Sequence, residues 1–207
     1  MSEEYLGAAG HTARCFRSYR DKYCPNGEMW VTESGDAGAG GHTWASTYLE
    51  VPRLLNELGS FVTVTNGVIF HNTLASSDYG WLKHGTFDPR PSYFAVLLWN
   101  KVMGHTVFDA AEPIREGAHV YAHSRADGKE GAAYLIINNS AEPTTVQIPG
   151  KAEVYALTGN GKFRSRTMLL NGRELVLGEG DALPELTGVS ACGTVEVAPG
   201  GCTFIVV

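Results

Sequence analysis

Residues 28–41, EMWVTESGDAGAGG, decide how the chain is read. Met29, Trp30 and Val31 form a short apolar run with aromatic and β-branched members, the composition of a parallel strand buried on both faces. Glu33 falls where that strand should end. Behind it, SGDAGAGG places four glycines between Gly35 and Gly41, too flexible for strand or helix. A carboxylate at the C-terminal end of a buried parallel strand, followed by a loop that lets backbone amides approach a ligand, is the layout of a barrel active site. A strand ending in a solvated glutamate and a loose turn is the competing reading, and a lone carboxylate does not separate the two.

Working outward, Tyr5–Tyr23 has no proline and places Phe16, Tyr19 and Tyr23 at helical spacing. It predicts a helix closed by Cys24-Pro25-Asn26-Gly27, ahead of the strand Glu28–Thr32. Past the glycines, Trp44, Tyr48, Val51, Leu55 and Leu58 make one stripe of a helix over His42–Leu58. Pro52 should kink that helix or mark its true start, and Gly59 should cap it. Phe61–Phe70, with Val62, Val64, Val68 and Ile69, reads as a second buried strand beside the first. It ends at His71-Asn72-Thr73, so Glu33 and Asn72 are expected at the same sheet end. After the loop Leu74–Arg90, Pro91 opens an apolar helix over Ser92–Met103, stopped by Gly104.

The alternation of helix and strand is a parallel α/β pattern. Two strands cannot form a sheet covered on both faces, and a (β/α)8 barrel takes about 250 residues. Residues 1–104 therefore read as the C-terminal part of such a barrel. From His105 onward come short β-like runs: Val107–Asp109, His119–His123, Ala133–Ile137, Thr144–Ile148, Ala152–Leu157, Thr167–Leu170, Val195–Val197 and Thr203–Val207. Turn signals such as Asp127-Gly128 and Gly159-Asn160-Gly161 separate them. Residues 105–207 are expected to form an antiparallel β-sandwich packed on the Ser92–Met103 helix. The fold class is α/β plus β.

The chain has 207 residues, of which 43% are hydrophobic and 18% charged, so it is globular. A net charge of −6 without a basic block argues against nucleic acid or an anionic membrane as a partner. There is no apolar run of membrane-spanning length, and Met1-Ser2-Glu3-Glu4 does not begin like a signal peptide. The compartment stays open, because a leader could lie outside a fragment. Cys15, Cys24, Cys192 and Cys202 form no CxxC pair and are expected as free thiols. His119 and His123, four apart on a strand, share a face but lie too far from each other for metal binding, and no HExxH motif occurs. Neither a metal nor a cofactor is expected. Asn138-Asn139-Ser140 fits a glycosylation sequon, which matters only in a eukaryotic secretory setting.

Glu33 is the leading candidate for chemistry, as the ionised carboxylate that a glycosidase places below a sugar ring. Asp36 reads as a loop or cap residue. His71 and Asn72 either cap the strand end or line a sugar site, Tyr79 can offer its hydroxyl to a carboxylate, and Trp81 is a stacking platform or core.

The runs WVTESGDAGAGGHTWAS (residues 30–46), HNTLASSDYGWL (71–82) and TFDPRPSYFAVLLWNKVMG (86–104) resemble glycoside hydrolase family 79, the heparanases and their β-glucuronidase relatives. The tail, with LLNGRELVL and LPEL, is similar as well. The resemblance implies a retaining (β/α)8 barrel joined to a β-sandwich, acting on saccharides or glycosides with β-linked glucuronic acid. By the same resemblance Glu33 is the nucleophile, and Gly40 offers an amide to the uronic-acid carboxylate. Ala39 stands where some members have another glycine, with its amide still available. His71-Asn72 looks like the microbial branch, and Tyr79 matches a tyrosine that contacts the sugar carboxylate. The family's acid/base, the Glu of an Asn-Glu pair at an earlier strand end, has no counterpart; Asn56-Glu57 lies inside a helix. The chain therefore resembles a C-terminal portion whose partner is an N-terminal barrel segment of the same enzyme, and alone it should be inactive. The rival reading is a non-catalytic β-sandwich that binds carbohydrate or serves structurally.

Overall fold

The computed structural model of the chain describes residues 1–110 and 117–207. Helix α1 spans Glu3–Tyr23. The Ser2 hydroxyl accepts the Tyr5 amide at 3.2 Å, and Glu3 and Glu4 in the first turn complement the helix dipole. The helix is the expected one, but its face is not. Leu6, Gly10 and Ala13 are buried, while Phe16, Tyr19 and Tyr23 are 60%, 59% and 72% exposed.

Strands β1 (Val31–Ser34) and β2 (Ile69–His71) pair in parallel, with Val31 opposite Ile69 and Ser34 opposite His71. Between them a 3-10 turn covers Thr43–Ser46, and helix α2 covers Glu50–Val62. The expected helix over His42–Leu58 is thus broken. Its α-helical part starts at Glu50, with Pro52 in the first turn, where a missing amide hydrogen costs no intrahelical bond.

The expected strand over Phe61–Phe70 is corrected more heavily. Helix α2 runs through Gly59 to Val62, and only Ile69–His71 is extended. Val51, Leu54, Leu55 and Phe61 are buried along α2, so Phe61 continues a helical stripe; a short apolar run alone cannot tell helix from strand. Gly59 caps nothing. A Cβ there would lie 2.5 Å from the Tyr121 ring, so close packing explains the glycine. Nor are the two strands fully buried. Among the described residues they form a two-stranded sheet without further neighbours, and Trp30, Val68 and Phe70 are exposed.

Helix α3 (Pro91–Val102) has proline in its first turn, as expected, and passes directly into β3 (Met103–Phe108), so Gly104 lies in a strand. The remaining strands are β4 (Ala118–Arg125), β5 (Ala132–Asn138), β6 (Thr144–Thr158), β7 (Leu169–Leu170), β8 (Arg173–Glu174), β9 (Val189–Val197) and β10 (Cys202–Val206). The runs Thr144–Ile148 and Ala152–Leu157 are one strand with an irregularity between Ile148 and Lys151. Among the described residues these eight strands join one antiparallel sheet in the order β3-β4-β5-β10-β6-β7-β8, with β9 on β6. The antiparallel pairing is as expected, and hydrogen bonds link the strands into one continuous sheet.

The sheet is apolar on both faces. Leu135 and Ile137 of β5, with Phe204 of β10, pack with Phe94, Ala95 and Leu98 of α3 and Val51 and Leu55 of α2. Ile136 and Ile205, next in sequence, turn to the other face and cluster with Ile148, Val195 and Val197, as a period of two requires. Helices and sheet thus share one core on either side of Gly104. Tyr48 ties the layers together, its hydroxyl donating to the Leu157 carbonyl at 2.7 Å and the Gly200 carbonyl at 3.1 Å.

Candidate active site

The parallel pairing of β1 and β2 brings their C-terminal ends together. The Asn72 amide donates to the Ser34 carbonyl at 2.8 Å. Glu33 and Asn72 emerge at the same end, as expected, and Asn72 Nδ2 donates to Glu33 Oε1 at 2.7 Å. The same Nδ2 lies 3.4 Å from the Tyr79 hydroxyl. Glu33, Asn72 and Tyr79 therefore form one polar chain, with Glu33 open to solvent.

His71 serves that chain from behind. Its Nε2 lies 3.1 Å from the Tyr79 carbonyl, and its ring stacks on Trp81 with centroids 5.0 Å apart. Burial lowers the His71 pKa, so the ring is a neutral donor to that carbonyl rather than a charged group facing a ligand. Arg90, which sequence reasoning missed, fastens the same loop. Its Nη1 lies within 2.6–2.8 Å of the Ser77, Asp78 and Gly80 carbonyls. The available signal was an arginine directly before the helix-opening Pro91.

The glycine loop faces this arrangement. Ala39, Gly40 and Gly41 have φ of 58°, 97° and 80°. The Asp78 amide donates to the Gly40 carbonyl at 3.0 Å, joining the two loops. Among the described residues, the Ala39 and Gly40 amides donate to no protein acceptor. Asp36 is fully buried, with Oδ2 accepting the His42 amide at 2.9 Å and lying 3.0 Å from His42 Nδ1.

Below the site, Arg53 spans Glu50 and Glu57 on α2, with Nη2 2.6 Å from Glu50 Oε1 and Nη1 2.9 Å from Glu57 Oε2. Burial pushes Glu50 up to about 7 and raises Glu57 as well, although Arg53 opposes both shifts. The Asn56-Glu57 pair is inside α2, and Glu57 is committed to Arg53. Among the described residues Asn72 is the hydrogen-bond partner of Glu33. His119 and His123 part company: one meets Glu3 Oε2 at 2.7 Å, the other the Gly104 carbonyl at 2.7 Å. The four cysteines are free, Cys202 buried and the others exposed. An exposed carboxylate oriented by an amide donor can act as a nucleophile, and unpaired amides in a left-handed loop can take an anion.

No family model matches the chain. A baicalin β-D-glucuronidase of Scutellaria baicalensis is 31% identical over 187 residues, covering 85% of the chain and 35% of that relative. Heparanase-like protein 1 of Arabidopsis thaliana is 28% identical, covering 100% of the chain and 45% of the relative. The chain thus spans less than half the length of these curated relatives. In fold it is similar to a solved 4-O-α-L-rhamnosyl-β-D-glucuronidase from Fusarium oxysporum, with a TM-score of 0.71 at 16% identity over the whole chain and 50% of that structure. The chain's curated homologues are thus β-glucuronidases and heparanase-like proteins, the proteins of glycoside hydrolase family 79.

Proposed function

We propose that the chain is the C-terminal part of a retaining glycoside hydrolase that cleaves β-linked glucuronic acid, with Glu33 as its nucleophile. Residues 1–104 are then the last βα units of a (β/α)8 barrel and residues 105–207 its β-rich companion domain. The observation that carries this reading is the 2.7 Å contact from Asn72 to Glu33 at the C-terminal end of a parallel strand pair, where barrel enzymes hold their chemistry. A Glu33 oxygen attacks the anomeric carbon as the glycosidic bond breaks and the leaving oxygen takes a proton from an acid. Water, deprotonated by the same group, then displaces Glu33 from the glycosyl intermediate. Ala39 and Gly40 amides and the Tyr79 hydroxyl receive the uronic-acid carboxylate.

The acid/base comes from an N-terminal barrel segment. Exposed Trp30, Val68 and Phe70 around the β1–β2 pair, and Phe16, Tyr19 and Tyr23 on α1, support a partner surface of that size. The test is hydrolysis of an aryl β-glucuronide by the chain alone and by the chain with an N-terminal barrel segment of the family added. The chain alone is expected to lack turnover, because an acid/base is worth about 10²–10⁴ in rate. The assembly should be active, and Glu33→Gln should abolish its activity while preserving the fold. Activity that survives Glu33→Gln refutes the assignment. An assembly that binds sugar without turnover would favour the non-catalytic reading.

A further inference from the structure

We propose that Asp36 is a positioning residue that sets selectivity for an acidic sugar, by locking the glycine loop in the shape that leaves the Ala39 and Gly40 amides unpaired. This inference rests on the reading of the site as one for a β-linked uronic acid.

The Asp36 side chain has no exposed surface. Burying a carboxylate is costly unless it is bonded, so its bonds indicate its task. Both go to His42, to the amide at 2.9 Å and to Nδ1 at 3.0 Å, and both use Oδ2. They close residues 36–42 into a ring. The Tyr5 hydroxyl donates to the Asp36 carbonyl at 2.8 Å and anchors the ring to α1. Inside it three consecutive residues hold left-handed φ values, one of them an alanine. That conformation costs a non-glycine residue about 1–2 kcal/mol, so it persists only where the surroundings impose it.

The ring is also pressed against the sugar-acid side of the site. A Cβ on Gly41 would lie 2.3 Å from both Asp36 Oδ1 and Tyr79 Cδ1. Asp36 Oδ1 is buried and bonds to nothing, so it wedges the loop rather than reading a ligand. Consecutive left-handed residues with free amides form a concavity for an anion. A buried carboxylate beside an anion site repels the ligand, which makes the contribution of Asp36 geometric and its charge dispensable.

The experiment uses the assembly of the chain with an N-terminal barrel segment, inactivated by Glu33→Gln, and measures binding of glucuronate and of glucose by calorimetry. Asp36→Ala should weaken glucuronate by about tenfold or more, the scale of one hydrogen bond to a charged group, and leave glucose unchanged. Asp36→Asn keeps an acceptor for His42 and should stay within about threefold of the parent. His42→Ala keeps the amide contact and should give an intermediate loss for glucuronate alone, which preserves the test if Asp36→Ala fails to fold. Equal losses for both sugars, or Asp36→Asn as poor as Asp36→Ala, overturn the proposal. With Glu33 restored, the preference for aryl β-glucuronide over aryl β-glucoside should collapse in Asp36→Ala through KM. Asp36-dependent glucuronate binding without turnover would sink the hydrolase reading and keep this one; turnover with selectivity untouched by Asp36→Ala would do the reverse.

Discussion

Replacing Arg53 by methionine removes the cation between two buried glutamates. Arg53 Nε lies 3.0 and 2.9 Å from the two Glu50 oxygens, Nη2 lies 2.6 Å from Oε1, and Nη1 lies 2.9 Å from Glu57. The side chains of Glu50 and Glu57 are 0% and 6% exposed, so neither can turn to water for compensation. Breaking such a pair by removing one partner costs about 3–5 kcal/mol. The stranded carboxyls can escape part of that cost by taking protons. Burial already raises Glu50 from 4.5 to about 7 with Arg53 present, and it raises Glu57; without Arg53 both rise further. A raised folded value means that the native state holds protons the unfolded chain has released. The associated stability is complete below the unfolded value and is lost as pH climbs through the folded one, at about 1.4 kcal/mol per unit and group. In the parent this loss runs from 4.5 to about 7 for Glu50; in Arg53→Met it continues to higher pH. Urea unfolding should therefore show a variant deficit of about 3–5 kcal/mol near pH 8 and a much smaller one near pH 5. A deficit that is equal at the two pH values, or below about 1 kcal/mol near pH 8, would refute the reasoning.

Tyr48→Phe removes the hydroxyl that reaches Leu157 and Gly200, and should lower stability by about 1–2 kcal/mol in denaturant titration without altering the helix content seen by circular dichroism. Gly41→Ala forces a Cβ against Asp36 and Tyr79 at a φ of 80°, and should cost about 2 kcal/mol or more in thermal unfolding, with loss of glucuronate binding in the assembly.

Much of the fold was legible from local signals. The proline-free run up to Tyr23 marks α1, Pro91 starts α3, and the polar residues ending two apolar runs place Glu33 and Asn72 side by side. The misreadings share a physical source. Phe61–Val64 is apolar enough for strand or helix, and its packing against Ala13, Met29 and Ile69, which no local pattern records, goes with helix as far as Val62. Gly59 looked like a stop because sequence reports a missing side chain without reporting what fills the space, here the ring of Tyr121, 62 positions further on. The strand order was not legible because β5 and β10 are apolar on both faces. A period-two pattern shows which side a residue faces and leaves open how strands from distant parts of the chain join.

The site divides along a similar line. Glu33, Asn72 and Tyr79 were legible because each offers its own side-chain atoms at a strand end or in a loop, where residue type and position suffice. His71, Asp36 and Arg90 work through the backbone of other residues. His71 turns away from the polar chain and holds the Tyr79 carbonyl; Arg90 gathers three carbonyls of the Tyr79 loop; Asp36 closes a ring over six positions. A side chain that reads backbone leaves no residue-type signature at its target, since every residue has the same carbonyl and amide. The glycines show the consequence. Gly40 and Gly41 announce that the loop can turn left-handed, but Ala39 shares their conformation without their freedom, so the turn must be imposed from outside the glycine run. The contacts that impose it are those of Asp36 to His42 and of Asp78 to Gly40, and both became visible only when the two loops were brought together in space.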